Sequence, residues 1–358
     1  MGSPLSQEEI QRRVAAYQEH GSFEKASKAI GVSRTQLRMT VRQFKGEEGP
    51  LMRPFETVSL PSGELTIDEL RAYRRKVFLR KDEGAKARKL IPVKVNLEGP
   101  IGILHFGDPH IDDDGCDFPR LESDIELVNK TPGMLAGNVG DLHNNWIGRL
   151  ARLYANQSTT AKQAWMLVEW LVLSVPWLYL VKGNHDLWSG DGDPLDFIKK
   201  YSEVGIQESH GARMELNFPN GKTVRINARH DFSGHSMWNP NHGPVKAIKA
   251  GWRDHILTCG HQHQTGFGPP LKDPATGLIS WPIRCAGYKR HDSYGEALGL
   301  PDQNISPSIL TVIDPRFDDD DPRLITPFLS AEEGAEFLTY KRKKAGASDV
   351  GRKRRHDG

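Results

Sequence analysis

The sequence predicts an α/β fold preceded by a small all-α domain. From Pro100 onward, short apolar runs that end in Gly-Asp, Gly-Asn or Gly-His alternate with stretches of helical periodicity. α/β proteins place their active sites where strands end in polar loops on one edge of a sheet. The first 45 residues hold three short amphipathic stretches separated by glycines, a pattern that indicates helices alone.

Four segments are expected along the 358-residue chain, which is long enough for about two domains. We predict a helical domain over residues 1–46, a linker and basic helix over 47–98, the α/β domain over 99–329, and a basic C-terminal helix with a disordered tail over 330–358. The longest apolar run, residues 165–181, is interrupted by glutamate and proline. It therefore predicts a buried helix followed by a strand, and not a membrane span.

The N-terminus and the cysteines bear on the cellular compartment. The N-terminus carries no basic-then-apolar signal pattern. The three cysteines, Cys116, Cys259 and Cys285, are widely spaced and form no CxxC pair, which argues against a disulfide framework and a thiolate zinc site. We expect a cytoplasmic protein that does not associate with membranes.

The net charge of +2 conceals an uneven distribution. Residues 1–95 carry 19 Lys and Arg against 12 Asp and Glu, residues 341–358 carry 8 against 2, and the middle of the chain carries 21 against 32. Basic ends on an acidic middle suit a polyanionic partner held by the ends and cations bound in the middle. Ordinary solvated surface charge explains the same distribution.

Three helices are expected in the first 45 residues. The first begins after the capping residue Ser6 and ends at Gly21, the second covers 23–30 and the third covers 34–44. Two helices joined by a tight glycine turn form the helix-turn-helix layout. The segment Ala-Ser-Lys-Ala-Ile-Gly-Val-Ser at 26–33 resembles the helix-turn-helix of bacterial and phage DNA-binding proteins.

In that resemblance the third helix is the recognition element. Its expected outer positions carry side chains that suit phosphates and base edges, and we take them as candidate DNA contacts: Arg34, Gln36, Arg38 and Arg42. A three-helix protein-interaction domain is the alternative.

Five motifs in the α/β domain carry carboxylate, amide and imidazole groups, most of them at the ends of predicted strands. Each motif alone is weak evidence, because the chain has 14 histidines. Their side chains suit manganese, iron or zinc, and no thiolate accompanies them. In chain order the motifs are Asp108-Pro-His110, Gly140-Asp141-Leu-His-Asn144, Gly183-Asn184-His185-Asp186, the strand-terminal His230, and Gly260-His261-Gln-His263.

Asp141 is a candidate to bridge two metals, because one carboxylate has two oxygens. Two metals about 3.5–4 Å apart activate water and clamp a phosphoryl group for in-line displacement. Two carboxylates facing four positive charges would also attract an anion, which favours phosphate esters.

The ordered set over residues 99–315 resembles the calcineurin-like metallophosphoesterase family, whose pattern is DxH, GDxx, GNH[DE], H and GHxH. The resemblance implies a β-sandwich flanked by helices and two divalent metal ions, with manganese favoured and iron or zinc as alternatives. It implies that His185 protonates the leaving oxygen while Asp186 orients it. It also implies that one metal is held by Asp108, His110, Asp141 and His263, and the other by Asp141, Asn184, His230 and His261.

Three further assignments rest on weaker signals. His230 competes with His235 and His242 as the isolated histidine ligand, and we choose His230 because it directly ends a β-branched run. Asn144 stands where the family's protein phosphatases have arginine, which counts against a phosphoprotein, and we take it as a substrate contact. The loop after a later strand offers two further candidate substrate contacts, although surface positions explain them as well: Lys289 and Arg290.

Together these features predict a dinuclear metal-dependent phosphodiesterase, a nuclease acting on DNA. The catalytic part resembles the DNA-repair exonuclease branch of the family, and the whole layout resembles phage-encoded versions with an N-terminal helix-turn-helix. One alternative is a phosphomonoesterase or small-molecule phosphodiesterase whose N-terminal module mediates assembly. Another is a DNA-binding regulator or packaging factor. The sequence predicts no oligomeric state.

Overall fold

The computed structural model describes residues 5–45, 63–190, 194–202, 204–291, 299 and 304–347. Residues 47–62 of the predicted linker and all of the predicted tail from residue 348 lie outside these ranges. The chain divides into two compact units, Met1–Arg74 and Arg75–Gly358. None of the helices in the described residues is long and apolar enough to cross a membrane.

The first unit begins with three helices, α1 (Gln7–His20), α2 (Phe23–Ile30) and α3 (Arg34–Lys45). Their bounds match the predicted ones to within a residue. The Ser6 hydroxyl accepts a hydrogen bond from the Glu9 amide, which caps α1, and the chain leaves α1 through Gly21 at a φ of 62°.

A small apolar core holds these three helices together. Leu37 and Val41 of α3 are buried against Val14 of α1 and Ala26 of α2. The next helix, α4 (Ile67–Ala87), has no buried residue. It is the basic helix that the sequence predicts in this segment.

The second unit is an α/β structure with thirteen strands in its described residues. The strands are β1 (Ile91–Lys94), β2 (Ile101–Phe106), β3 (Met134–Asn138), β4 (Trp177–Lys182), β5 (Ile206–Ser209), β6 (Gly211–Asn217), β7 (Thr223–Arg229), β8 (Ile256–Cys259), β9 (Gly266–Phe267), β10 (Leu271–Lys272), β11 (Ile279–Arg284), β12 (Ser308–Ile313) and β13 (Ile325–Phe328). The helices are α5 (Phe118–Lys130), α6 (Ala161–Ser174), α7 (Asn184–Leu187), α8 (Leu195–Ile198), α9 (His242–Lys249) and α10 (Ala331–Ala345), with 3-10 helices at Gly148–Asn156 and Lys199–Tyr201.

The strands form two mixed sheets. The first has the order β13-β12-β2-β3-β4-β5, in which β2, β3, β4 and β5 run parallel. The second has the order β1-β6-β7-β8-β11-β10, in which β7, β8 and β11 run parallel and β9 also pairs with β11.

Alternating side chains place the two sheets face to face. Ile101 and Ile103 of β2 are buried in one core with Ile226 of β7, so this core lies between the sheets. Leu104 and Phe106 point the other way, into a second core with α5, α6 and α10. A smaller cluster packs α9 on the second sheet.

Two boundaries differ from the predicted ones. The strand β1 lies inside the predicted linker segment, yet it pairs with β6 and belongs to the second sheet. Its four residues include a proline and show no strong apolar run, so the sequence carries little signal for it. The C-terminal helix α10 is also part of this unit, because Leu338 is fully buried in the core beside the first sheet.

Candidate metal centre

Loops that follow parallel strands bring the five motifs to one edge of the two sheets. Asp108 and His110 follow β2, Asp141 follows β3, Asn184 and His185 follow β4, His230 follows β7, and His261 and His263 follow β8. Because the carboxyl ends of parallel strands meet at the same edge, residues separated by up to 155 positions become neighbours.

Asp141 lies at the middle of this cluster. Its Oδ2 is 3.3 Å from Nε2 of His230 and 3.9 Å from Nε2 of both His110 and His185. Its other oxygen accepts a hydrogen bond from the backbone amide of His185. The Asp141 carboxylate therefore has one oxygen held by the backbone and one directed at three imidazole rings.

Asp108 provides the second carboxylate. Its Oδ2 is 3.5 Å from Nε2 of His263 and accepts a hydrogen bond from the His261 amide at 2.6 Å. Its Oδ1 lies 3.7 Å from Nδ1 of His230, is buried, and has no hydrogen-bond partner among the described residues. A buried carboxylate oxygen without a donor is costly unless a cation neutralises it.

His230 faces several polar atoms at once. Its Nε2 lies 2.9 Å from Nδ1 of His261 and 2.9 Å from Oδ1 of Asn184, in addition to the Asp141 oxygen. One ring nitrogen cannot donate to all three atoms, and such convergence of imidazole, amide and carboxylate donors suits a hard or borderline cation.

Three groups of side chains among the described residues could hold a metal ion, and within each group the ligand atoms lie within 4.8 Å of one another. Asp141 belongs to two of them. The groups are Asp108, His110 and His263; His110, Asp141 and His185; and Asp141, His230 and His261. The donor set and the unpaired oxygen of Asp108 thus fit bound metal.

Four of these residues have left-handed backbone conformations. The φ angles are 41° at His110, 48° at Asp141, 69° at His261 and 49° at His263. This region is unfavourable for residues with a Cβ, and such strain clusters at functional sites. The tight turns aim side chains from successive loops into one small volume.

In each of the three motifs that begin with glycine, a side chain at the glycine position would clash with a proposed metal ligand. A Cβ at Gly183 would lie 2.1 Å from Oδ1 of Asp141, and one at Gly260 would lie 2.5 Å from Oδ1 of Asp108. At Gly140 a Cβ would lie 2.4 Å from Nδ1 of His230. The carboxylates and imidazole therefore approach the backbone more closely than any other residue would allow.

Burial and mutual charge shift the titration of the cluster. Burial raises the pKa of Asp108 well above its ordinary value and lowers the pKa of His110. Burial lowers the pKa of His230, but its hydrogen bond to Asp141 and the charges of both carboxylates outweigh this and raise the pKa to about 10. The same pairing outweighs the effect of burial on Asp141 and lowers its pKa. Asp141 and His230 thus stabilise each other in their charged forms, whereas burial shifts Asp108 and His110 toward their neutral forms.

The predicted pairing of Asp186 with the His185 ring is wrong. Nδ1 of His185 lies 2.6 Å from the backbone carbonyl of Asn144. The Asp186 carboxylate instead accepts hydrogen bonds from the backbone amides of Leu142 and Gly183. Asp186 is the third residue of the short helix α7, and from there its side chain reaches back to Gly183, which precedes the helix. Burial and the charge of Asp141 raise the pKa of Asp186 to about 7.

Asn144 does not have the predicted substrate-facing orientation. It is fully buried, its Oδ1 lies 2.8 Å from Nδ1 of His110, and its Nδ2 donates to Asp113. The Asp113 carboxylate also pairs with Lys289 at 3.1 Å. Lys289, Asp113 and Asn144 thus form a chain of contacts that holds the His110 ring, and the substrate contact of Lys289 stays a prediction.

The other candidates occupy distinct places. His230 is the isolated histidine that approaches both carboxylates, whereas His235 contacts Gln262 and His242 begins α9 with an exposed side chain. Arg290 is exposed and lies 3.6 Å from Asp117.

Two tryptophans that sequence reasoning missed enclose the His185 ring. Trp188 is tilted over it with 4.1 Å between ring centroids, and Trp146 meets it edge-on at 5.3 Å. Each lies two residues beyond the end of a motif, Trp146 after Asn144 and Trp188 after Asp186, and this shared position is the signal that could have found them.

The candidate DNA contacts belong to the first unit. The buried side of α3 is formed by Leu37, Thr40 and Val41. The four predicted side chains lie on its exposed side: Arg34, Gln36, Arg38 and Arg42.

Comparison with known proteins does not show a family for this chain. No protein-family model matches it, and no curated protein matches it. Among solved structures, a protein of unknown function from Aquifex aeolicus is 15% identical, with a TM-score of 0.26 over 45% of this chain and 78% of that one.

Proposed function

We propose that this chain is a calcineurin-like metallophosphoesterase, a dinuclear metal-dependent phosphodiesterase that cleaves DNA. The observation that carries the proposal is the convergence of all five motifs on Asp141 and Asp108 at one sheet edge. Two face-to-face sheets flanked by helices are compatible with the fold that the motif pattern implies.

Seven side chains would hold two divalent cations, of which manganese is the first choice and iron and zinc are alternatives. Asp141 is common to both sets. When bound, the metals supply Lewis acidity that activates water and neutralises charge on a phosphoryl group. One set is Asp108, His110, Asp141 and His263, and the other is Asp141, Asn184, His230 and His261.

His185 is the proposed proton donor. Its Nδ1 faces a backbone carbonyl, which only accepts hydrogen bonds, so Nδ1 carries a proton. Nε2 is then the atom that exchanges a proton with the leaving oxygen. Trp146 and Trp188 restrict the ring on two sides, and the Asn144 carbonyl sets its rotation. In this view Asp186 does not touch the ring and instead holds the turn that carries Asn184 and His185.

DNA is the proposed substrate because of the first unit. Its helices have the order and glycine turns of a helix-turn-helix, and α3 exposes three arginines and a glutamine. Residues 1–95 carry a net charge of +7, of which residues 75–95, which follow the first unit in the chain, hold +6, and this charge supports a polyanionic partner. In this proposal the module holds DNA and the metal centre cleaves it.

Turnover of three substrates side by side tests the proposal: bis-p-nitrophenyl phosphate, p-nitrophenyl phosphate and end-labelled DNA, each with manganese and after chelation. We expect manganese-dependent cleavage of the diester and of DNA, with the monoester much slower. Preference for the monoester would overturn the nuclease assignment in favour of a small-substrate phosphatase. DNA binding without turnover of any ester would favour a DNA-binding regulator or packaging factor.

A further inference from the structure

A loop next to the metal centre exposes two large apolar side chains. Met237 is 91% exposed and Trp238 is 88% exposed, more than any other large apolar side chain among the described residues. The loop follows His230, a proposed metal ligand. Exposing a tryptophan to water is unfavourable, and exposed apolar groups often mark binding sites.

The base of this loop is fixed to the metal centre. Arg284 is fully buried, and its guanidinium contacts Asp231 at 3.0 Å and the carbonyl oxygens of Pro240 and Gly260. Asp231 directly follows His230, and Gly260 directly precedes the next ligand loop. One buried cation thus ties both ends of the exposed loop to each other and to the loop that carries His261 and His263.

The charge around the loop favours an anion. Residues 232–253 contain no aspartate or glutamate, although the middle of the chain is acidic overall. Lys246 and Lys249 lie exposed on α9. A Cβ at Gly234 would lie 3.2 Å from the Lys246 side chain, so the loop packs beside Lys246, and Lys249 lies three residues further along the same helix.

We propose that Trp238, supported by Met237, stacks on an unpaired nucleobase while Lys246 and Lys249 bind phosphates of the same strand. An aromatic ring combined with neighbouring cations is the arrangement that binds single-stranded nucleic acid. Bases in a duplex already stack on one another, so this platform selects single strands or frayed ends. The inference rests on the proposed function and adds the strand preference to it.

Binding of a fluorescent 15-nucleotide single strand and of the matching blunt duplex, measured by anisotropy after chelation of metals, tests the platform. We expect Trp238→Ala to weaken binding of the single strand by about 5- to 150-fold, the contribution of one base stacked on an aromatic ring. Trp238→Phe should retain most of the affinity, and duplex binding should change little. Tyr340→Ala, which removes a 56% exposed aromatic side chain from α10, is the matched control.

Two further measurements separate the possible outcomes. The double variant Lys246→Ala and Lys249→Ala should show a weaker salt dependence of single-strand binding. The slope of the logarithm of the binding constant against the logarithm of the salt concentration should fall in magnitude by about 0.7 for each phosphate that is no longer neutralised. Turnover of methyl p-nitrophenyl phosphate should be unchanged in every variant, because this small diester has no base to stack. Unchanged single-strand affinity in Trp238→Ala, with turnover intact, would overturn this inference and leave the proposed function standing.

Three other results would distinguish between the partners that could bind this loop. An equal loss of affinity for single strands and duplex would contradict the stacking role. A change of oligomeric state in Trp238→Ala, seen by sedimentation, would assign the loop to a second copy of the chain. Single-strand binding that depends on Trp238 in a protein with no phosphoesterase turnover would support the platform and overturn the proposed function.

Discussion

The three-helix module and the metal centre present chemical groups in opposite ways. In the module, the candidate side chains Arg34, Arg38 and Arg42 lie exposed on one helix within nine residues of each other. In the metal centre, the proposed ligands come from five loops and most are buried, with Asp108 fully inaccessible and Asp141 2% exposed. One arrangement depends on local sequence and the other on long-range packing.

This difference predicts how each region responds to mutation. Water screens the charges of exposed arginines, so each arginine contributes a small and roughly independent amount of binding free energy. Buried carboxylates and imidazoles balance one another's charges and hydrogen bonds, so the loss of one leaves an unbalanced buried charge on the others. We therefore expect large, cooperative effects at the centre and small, additive ones in the module.

The largest effect is expected at Asp141. Asp141→Asn should abolish turnover and leave at most one bound metal per chain, because the amide supplies no charge and presents an N–H donor to the cluster. Metal content by mass spectrometry and turnover of bis-p-nitrophenyl phosphate measure this, with circular dichroism to check the fold. A folded variant that keeps two metals and full activity would refute the centre.

The next effect is expected at His185. His185→Ala should reduce the rate by about 10²–10⁴-fold, the usual contribution of general acid–base catalysis, without change in metal content. The loss should be much smaller for p-nitrophenyl esters than for alkyl esters, because a good leaving group needs no proton. Equal losses on both kinds of ester would show that His185 is not the proton donor.

A smaller effect is expected from the contact that holds His110. Asn144→Ala should weaken metal affinity by about 10- to 100-fold, since groups that orient metal ligands typically contribute that much. Competition with a chelating dye measures the affinity. Asn129→Ala, on α5, removes a similar side chain bonded to the Ser174 carbonyl and should leave affinity unchanged. Loss of activity with normal metal affinity would place Asn144 at the substrate instead.

The smallest effects are expected in the module. Replacing Arg34, Arg38 and Arg42 by alanine should raise KM for DNA. The slope of the logarithm of the DNA-binding constant against the logarithm of the salt concentration should fall in magnitude by about 0.9 for each phosphate that these arginines neutralise. Turnover of a small diester should not change, because these residues lie outside the metal centre. The control replaces Lys25 and Lys28, two exposed cations of α2, and should have little effect. An altered oligomeric state with unchanged DNA affinity would identify an assembly module.

The sequence alone determined the elements whose signals are local. The bounds of α2 follow from a glycine turn, and the structure has this helix over the predicted residues 23–30. The strand β2 coincides with the first apolar run after Pro100. The residue types of the candidate metal centre were also evident, because most of its motifs follow a predicted strand and parallel strands end at one edge.

Tertiary structure decided the partners of each group. The side chains of Asn144, Asp186 and Lys289 all have contacts that the motifs did not predict. Arg284 lies at the end of an ordinary strand, and only the packed structure shows that it joins both ends of the loop after β7 to the loop after β8. A sequence motif states which groups follow a strand, but the direction of a side chain depends on backbone turns and on residues more than a hundred positions away. These long-range contacts form only when the two sheets pack together.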